Sequence, residues 1–213
     1  MKKYKLLQVL ALASVMAMGQ VAVAGNGPGK GRGGQQNVPV SVTLSNEEAA
    51  MLTFMREEEK LARDVYRVLF DRWNKRVFSN ISNSEQRHMD SLAGRLSYYR
   101  LPDPVVDNST GAFVDTDLAT AYLGLTEWGM QSLEDAFMVG AYIEELDILD
   151  LQHAMAVSTH ADLDAVYEEL MRGSRNHLRA FVSQIENLGI VYKAQLMEQQ
   201  DVDDIVNSPL ERG

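Results

Sequence analysis

Apolar and small residues recur three and four positions apart along most of the chain after Thr43, which is the spacing of one helical face. Leu52, Met55, Ala62, Tyr66 and Leu69 trace the first such face. Ser45, followed by Glu47 and Glu48, has the form of an N-cap with acids in the first turn, so a first helix is predicted over 45–74. A second is predicted from Ser79 or Asn80 to Tyr99, where Leu101-Pro102-Asp103-Pro104 stops it. The stretch 101–116 is polar and turn-rich, and 117–128 suits a short helix ending at Gly129. A third long helix is predicted over 131–156, with Leu133, Ala136, Gly140, Ile143 and Leu151 on one side. The fourth, over 161–188, carries Leu163, Val166, Leu170, Phe181 and Ile185, and Gly189 fits its C′ position. No segment sustains the period-two alternation of a strand.

Four long helices predict an all-α bundle. The short links imply antiparallel neighbours. The link between the second and third long helices is long enough to run the length of the bundle, which would make those two parallel.

The first 24 residues lie outside this pattern. Lys2, Lys3 and Lys5 precede an apolar run from Leu6 to Met18, then Ala22-Val23-Ala24 before Gly25. That order predicts a secretory signal peptide cleaved after Ala24, and a secreted or periplasmic protein. The apolar run is too short for a membrane span, so no span is expected after cleavage. Residues 25–41 form a glycine-rich leader, 42–190 the bundle and 191–213 a C-terminal tail, in which Val202, Ile205 and Leu210 stand among acids. With no cysteine, stability must come from the core. The chain has 20 Lys and Arg against 30 Asp and Glu, and losing the three signal lysines moves the balance from −10 to −13. Such a surface repels phosphate backbones, so nucleic acid is not an expected partner.

The candidate chemistry lies where the apolar stripes are interrupted. Glu59 falls in the stripe of the first helix. Glu85 and His88, three residues apart, share a face of the second. Glu144 and Asp147 do the same on the third, and His177 interrupts the fourth. Uncompensated buried carboxylates cost several kcal/mol each. A pair of metal ions removes that cost, and carboxylate with imidazole is a donor set that Fe, Mn or Zn accepts.

These residues lie in blocks that resemble the DUF2202 family, classed with the ferritin-like proteins. The blocks are FMREEEKLARDVY (54–66), VFSNISNSEQRHMDSL (77–92), VGAYIEELDILDL (139–151) and RGSRNHLRAF (172–181). The resemblance implies a ferritin-like four-helix bundle, with the long crossover between the second and third helices carrying a short extra helix. The first block is similar to a rubrerythrin pattern that would make Glu59 a ligand, with Ala62, Arg63 and Tyr66 following. Glu85 and His88 match the ferritin-like Glu-x-x-His. The second such motif of that superfamily is broken, because Ser174 stands three before His177. Asp147 is the proposed replacement, giving the metal set Glu59, Glu85, His88, Glu144, Asp147 and His177. Glu58 for Glu59 and Glu145 for Glu144 stay open, as does one ion instead of two.

The plainer readings set beside these are specific. Glu57 and Glu58 read most simply as solvated acids, and His153 and His160 as surface or capping residues. Tyr66, Tyr142 and Tyr167 read as core. Arg63, Arg175 and Arg179 could neutralise the core acids with no metal at all. The function expected is a di-iron centre that handles iron or reacts with dioxygen or peroxide, ferroxidase- or peroxidase-like. Lacking a rubredoxin-type cysteine segment, it would draw on an external electron donor; a homodimer is an allowed assembly. The alternative is a non-enzymatic envelope binding or scaffold module with a structural, mononuclear or vestigial metal.

Overall fold

The computed structural model describes residues 43–212, so the predicted signal (1–24) and the whole of the glycine-rich leader (25–41) lie outside it. The described residues form helices α1 (Asn46–Trp73), α2 (Arg76–Tyr98), α3 (Thr116–Gly129), α4 (Leu133–Val157), α5 (Ala161–Glu186) and α6 (Gln199–Asn207), and they contain no strand. The all-α bundle is therefore present. No helix among them is long and apolar enough to cross a membrane.

The ends follow local chemistry. Ser45 and Glu48 complete a capping box at the start of α1, with Ser45 N–H donating to Glu48 Oε2 at 2.7 Å. Asn74 turns the chain in the left-handed region (φ 50°), so α2 starts at Arg76, earlier than the Ser79 or Asn80 predicted. Tertiary packing explains the extra turn: Phe78 is fully buried and stacks on Phe137 at 5.6 Å. At the end of α5, Ile190 N–H reaches the Ile185 carbonyl and Gly189 N–H the Glu186 carbonyl, closing a Schellman turn around Gly189 (φ 81°).

Four long helices form the bundle, with α1 against α2 and α4, and α5 against the same two. Side-chain pairs fix the directions. Glu48 meets Thr159 while Tyr66 meets Gly140, so α1 and α4 are antiparallel. Arg95 meets Asp162 while His177 meets Glu85, so α2 and α5 are antiparallel as well. The two-residue link makes α1 antiparallel to α2, which leaves α2 and α4 parallel and diagonal. The crossover between them carries α3 and is fastened to α1 by buried ions. Lys60, wholly buried, donates to Asp64 at 2.6 Å and to the Ser109 carbonyl at 2.8 Å. Arg63 bonds Asp64, Gln86 and Asn108, so it serves the crossover and leaves the core acids alone.

The tail folds back on the bundle. Val202 is buried and Ile205 packs on the core. Arg175 and Arg179 both pair with Glu211, so neither neutralises a core acid. The Arg-based, metal-free reading of the core is thereby corrected for all three arginines.

Candidate metal centre

The middle of the bundle is the most polar part of its interior. From α1 come Glu58 and Glu59, from α2 Glu85 and His88, from α4 Glu144 and Asp147, and from α5 Ser174 and His177; His88 is half-buried and the others are buried. Two groups of three bring their ligand atoms within 4.8 Å of one another: Glu59, Glu85 and His88, and Glu85, Glu144 and His177. Glu85 belongs to both. Its Oε2 lies 2.8 Å from His88 Nδ1 and its Oε1 lies 2.9 Å from His177 Nδ1. His88 Nδ1 is also 3.2 Å from Glu59 Oε2, and His177 Nδ1 is 3.4 Å from Glu144 Oε2. The two imidazoles stack at 5.7 Å, and both Nδ1 atoms approach the same carboxylate.

Asp147 belongs to neither triad. One of its oxygens accepts the Ser174 hydroxyl, and the other, Oδ1, is buried with no hydrogen-bond partner. The carboxylate of α4 thus sits against the hydroxyl that interrupts the second Glu-x-x-His. Glu144 accepts the Tyr66 hydroxyl at 2.5 Å, so Tyr66 positions a candidate ligand.

The electrostatics are those of groups held out of water. Burial pushes Glu59 up to about 7 against the pull of His88. Burial also raises Glu144 and Asp147, with Glu59 adding to the rise of Asp147. Glu85 departs from this trend: burial would raise it, but the two imidazoles outweigh burial and hold it below the usual carboxylate range. His177 is raised to about 10, since Glu85 and Glu144 overcome its burial. Protons thus compensate the cluster only in part. Glu59 Oε1, Glu85 Oε1, Asp147 Oδ1 and His177 Nδ1 have no aligned hydrogen-bond partner. Buried polar atoms in native structures are nearly always paired. Carboxylate oxygens and imidazole nitrogens that converge with only one aligned hydrogen bond between them, His88 Nδ1 with Glu59 Oε2 at 3.2 Å, fit a transition-metal pair.

The neighbouring acids resolve differently. Glu57 is buried, not solvated: it accepts the amides of Val114 (2.7 Å) and Asp115 (2.9 Å) and anchors the entry to α3. Glu145, wholly buried, accepts the Gln195, Leu196 and Met197 amides and the Tyr192 hydroxyl. It belongs to the tail, leaving Glu144 to the centre. Glu58 is also buried, contrary to the solvated reading, and lies against Asp150 instead of the triads. His153 is exposed, and His160 sits at the start of α5, 2.7 Å from Glu48 Oε1. Two contributors were missed in the sequence. Asp150 follows Asp147 by one further helical step. A Cβ on Gly173 would lie 2.6 Å from His88 Cε1 and Nε2, so the glycine seats that ring. The signal for Gly173 was a glycine inside a helix, where it costs about 1 kcal/mol without a packing reason.

A family model described as "Uncharacterized protein domain (DUF2202)" matches residues 48–209. The chain belongs to the DUF2202 family. It is 45% identical over 170 residues to the uncharacterized protein MJ0754 of Methanocaldococcus jannaschii, covering 80% of this chain and 92% of that protein. A crystal structure of hypothetical protein MJ0754 from Methanococcus jannaschii matches with a TM-score of 0.78 at 45% identity, over 79% of this chain and 96% of that one. The DUF2202 match runs past Gly189 through α6, and the tail is anchored to α4 through Glu145.

Proposed function

We propose that this DUF2202 protein is a ferritin-like protein whose core holds a pair of transition-metal ions, iron by first choice with Mn or Zn as substitutes. Its ligands are Glu59, Glu85, His88, Glu144, Asp147 and His177. The observation that carries this is the pair of buried triads sharing Glu85, in which imidazole and carboxylate atoms converge while Glu59 Oε1, Glu85 Oε1 and His177 Nδ1 lack an aligned hydrogen-bond partner. Four ionised carboxylates balance two divalent cations when both imidazoles are neutral. Bound there, an iron or manganese pair would supply one electron per ion toward dioxygen or peroxide, whereas zinc would fill the site without redox chemistry.

The chain's own residues hold and shield the centre. Tyr66 fixes Glu144, Ser174 fixes Asp147, and Gly173 lets His88 lie flat against α5. Tyr66, Phe78 and Phe181 form an aromatic layer beside the site, with ring centroids 5.2–6.4 Å apart, which excludes water on that side. Oxidation of Fe(II) as substrate, with dioxygen or peroxide reduced, needs no internal electron relay. Sustained turnover draws on an external donor, because the chain has no cysteine. With residues 1–24 acting as an export signal, this chemistry belongs at the cell envelope.

The test is metal content and Fe(II) oxidation on the protein lacking residues 1–24, loaded anaerobically and then exposed to dioxygen or peroxide. About two iron per chain with rapid oxidation supports the reading. No tightly bound metal, and a melting temperature indifferent to Fe(II), Mn(II) and Zn(II), refutes it in favour of a metal-free scaffold.

A further inference from the structure

Most of the buried acids outside the centre have ordinary partners. Glu48, Glu57 and Glu145 accept backbone amides, and Asp64 accepts Lys60 and Arg63. Glu58 differs. It is 3% exposed, no N–H or hydroxyl donor reaches either oxygen, and the group it lies against is another carboxyl, Asp150, with which it can share only a proton. The groups that act on it most strongly, Asp150, Asp147 and Glu59, are all carboxyls. Asp150, on α4, lies against it and has one buried oxygen that is also unpartnered. Asp150 is only half-buried, and exposed His153 stands beyond it, so the group opens toward solvent.

The α4 residues Glu144, Asp147 and Asp150 follow at three-residue steps, so each neighbours the next while the row winds around the helix, with Asp150 about 120° from Glu144. Glu144 and Asp147 belong to the proposed centre, and Asp150 nears the surface. With Glu58 near them on α1, carboxyl groups succeed one another from half-buried Asp150 to the buried acids of the centre. We propose that Glu58 and Asp150, backed by Asp147, form a further divalent-cation site, a station through which metal ions pass into the centre. This rests on the centre being a metal site.

Two carboxylates pressed together away from water repel each other unless a cation or a proton intervenes. Two carboxylates with water in the remaining positions suit a hard or borderline divalent ion held loosely, which a transit site requires. The three acids do not form a compact triad like those of the centre, in keeping with weaker binding. A cleft of about 300 Å³ lies over His88 and Gly173, between α2 and α5; its walls carry Arg87 and Arg172 against one acid, Glu169, which is paired with Arg172, so it disfavours a cation. The route assigned to cations therefore runs between α1 and α4.

The experiment is an anaerobic Mn(II) titration of the full chain, with free Mn(II) counted by its paramagnetic resonance signal. Stopped-flow Co(II) loading is followed by absorbance. Wild type is compared with Glu58→Gln and Asp150→Asn, each checked for intact helix content. Wild type should show a weak class of Mn(II) beyond the tight one. Both variants should lose the weak class, keep the tight one and load Co(II) roughly tenfold more slowly, as expected when a focusing charge is removed. A tight class with no weak class, or a weak class and loading rate untouched by either variant, overturns the station and leaves the centre standing; the pair then only shares a proton. Absence of a tight class in wild type overturns the centre itself.

Discussion

Replacing Gly173 with alanine should separate metal binding from folding. The added Cβ would lie 2.6 Å from both Cε1 and Nε2 of His88, whereas ordinary contact begins at 3.4 Å, so the ring must retreat by at least 0.8 Å. It has room to do so, because His88 lines the cleft between α2 and α5 and its side chain is already 12% exposed. Alanine inside a helix gains about 1 kcal/mol over glycine, which offsets much of the roughly 1–3 kcal/mol that a crowded site costs. The metal-free variant should therefore melt within a few degrees of wild type. Metal binding cannot absorb the same movement, since ligand distances tolerate only about 0.2 Å. Affinity should fall by at least the ~10–100-fold that follows from disturbing a ligand's support. At a metal concentration about 1,000 times the wild-type Kd, binding stabilises the protein by about 4 kcal/mol. For a domain of this size that raises Tm by roughly 8–16 °C. A hundredfold weaker site at the same concentration leaves about 1.4 kcal/mol, or roughly 3–6 °C. Thermal melts with and without Zn(II) or Mn(II), paired with calorimetric titration, read both quantities. An undiminished metal-dependent shift in Gly173→Ala would refute the seating of His88 as a ligand. A variant that loses several kcal/mol without metal would show that the ring has no room to move.

Three further predictions test the division of the acids and the tail. Glu145→Gln should destabilise the protein by roughly 1–3 kcal/mol, because it weakens a carboxylate that accepts three amides and a hydroxyl, and should leave metal stoichiometry unchanged. Glu59→Gln should do the reverse at pH 8, leaving the metal-free protein as stable as wild type or more so, by up to about 1–3 kcal/mol, while removing tight metal; chemical denaturation and metal analysis of both variants check the pair. The Arg175 hydrogen bond, helped by Arg179, depresses Glu211 from 4.5 to about 2. A depressed acid contributes stability above its unfolded pKa and loses it as pH falls toward its folded value, so the tail's hold on α5 should weaken between about pH 4.5 and 2. Hydrogen exchange of α6 amides should accelerate over that window, and Glu211→Gln should remove the pH dependence by loosening the tail at every pH.

The helices and part of the centre were legible because they depend on short-range spacing. Ser45 with Glu48, Pro102 and Gly189 mark ends through local geometry, and the Glu85–His88 step places two ligands on one face whatever packs around them. What spacing could not resolve was which of several consecutive acids faces which neighbour. Glu57, Glu58 and Glu59 sweep well over half a turn of α1, and all three are buried because the crossover, α2 and α4 enclose that turn. Glu57 finds amides at the entry to α3, Glu59 finds His88, and Glu58 finds Asp150. Each outcome depends on a segment distant in sequence. The same holds for Arg63, which looked like a neutralising charge until the crossover supplied Asn108, and for the tail, whose few apolar residues gave no period to follow.

The contrast among buried carboxylates also bears on what the core is for. Where an acid serves folding here, it accepts amides or cations: Glu145 gathers the tail, Glu57 the entry to α3, and Asp64 the crossover. The acids of the centre are held by few donors, Tyr66 for Glu144 and Ser174 for Asp147, and otherwise face imidazoles and one another. Such an arrangement costs stability without a cation, and an apolar replacement of equal volume would often be neutral or stabilising. Folding alone does not account for a cluster of this kind, whereas a site that must accept a charged pair does. The lean support has a functional side as well. In the proposed centre, an acid such as Glu59, with one oxygen unpartnered, would change how it ligates without breaking a hydrogen bond, while Glu85, set between two imidazoles, would keep the halves of the site in register.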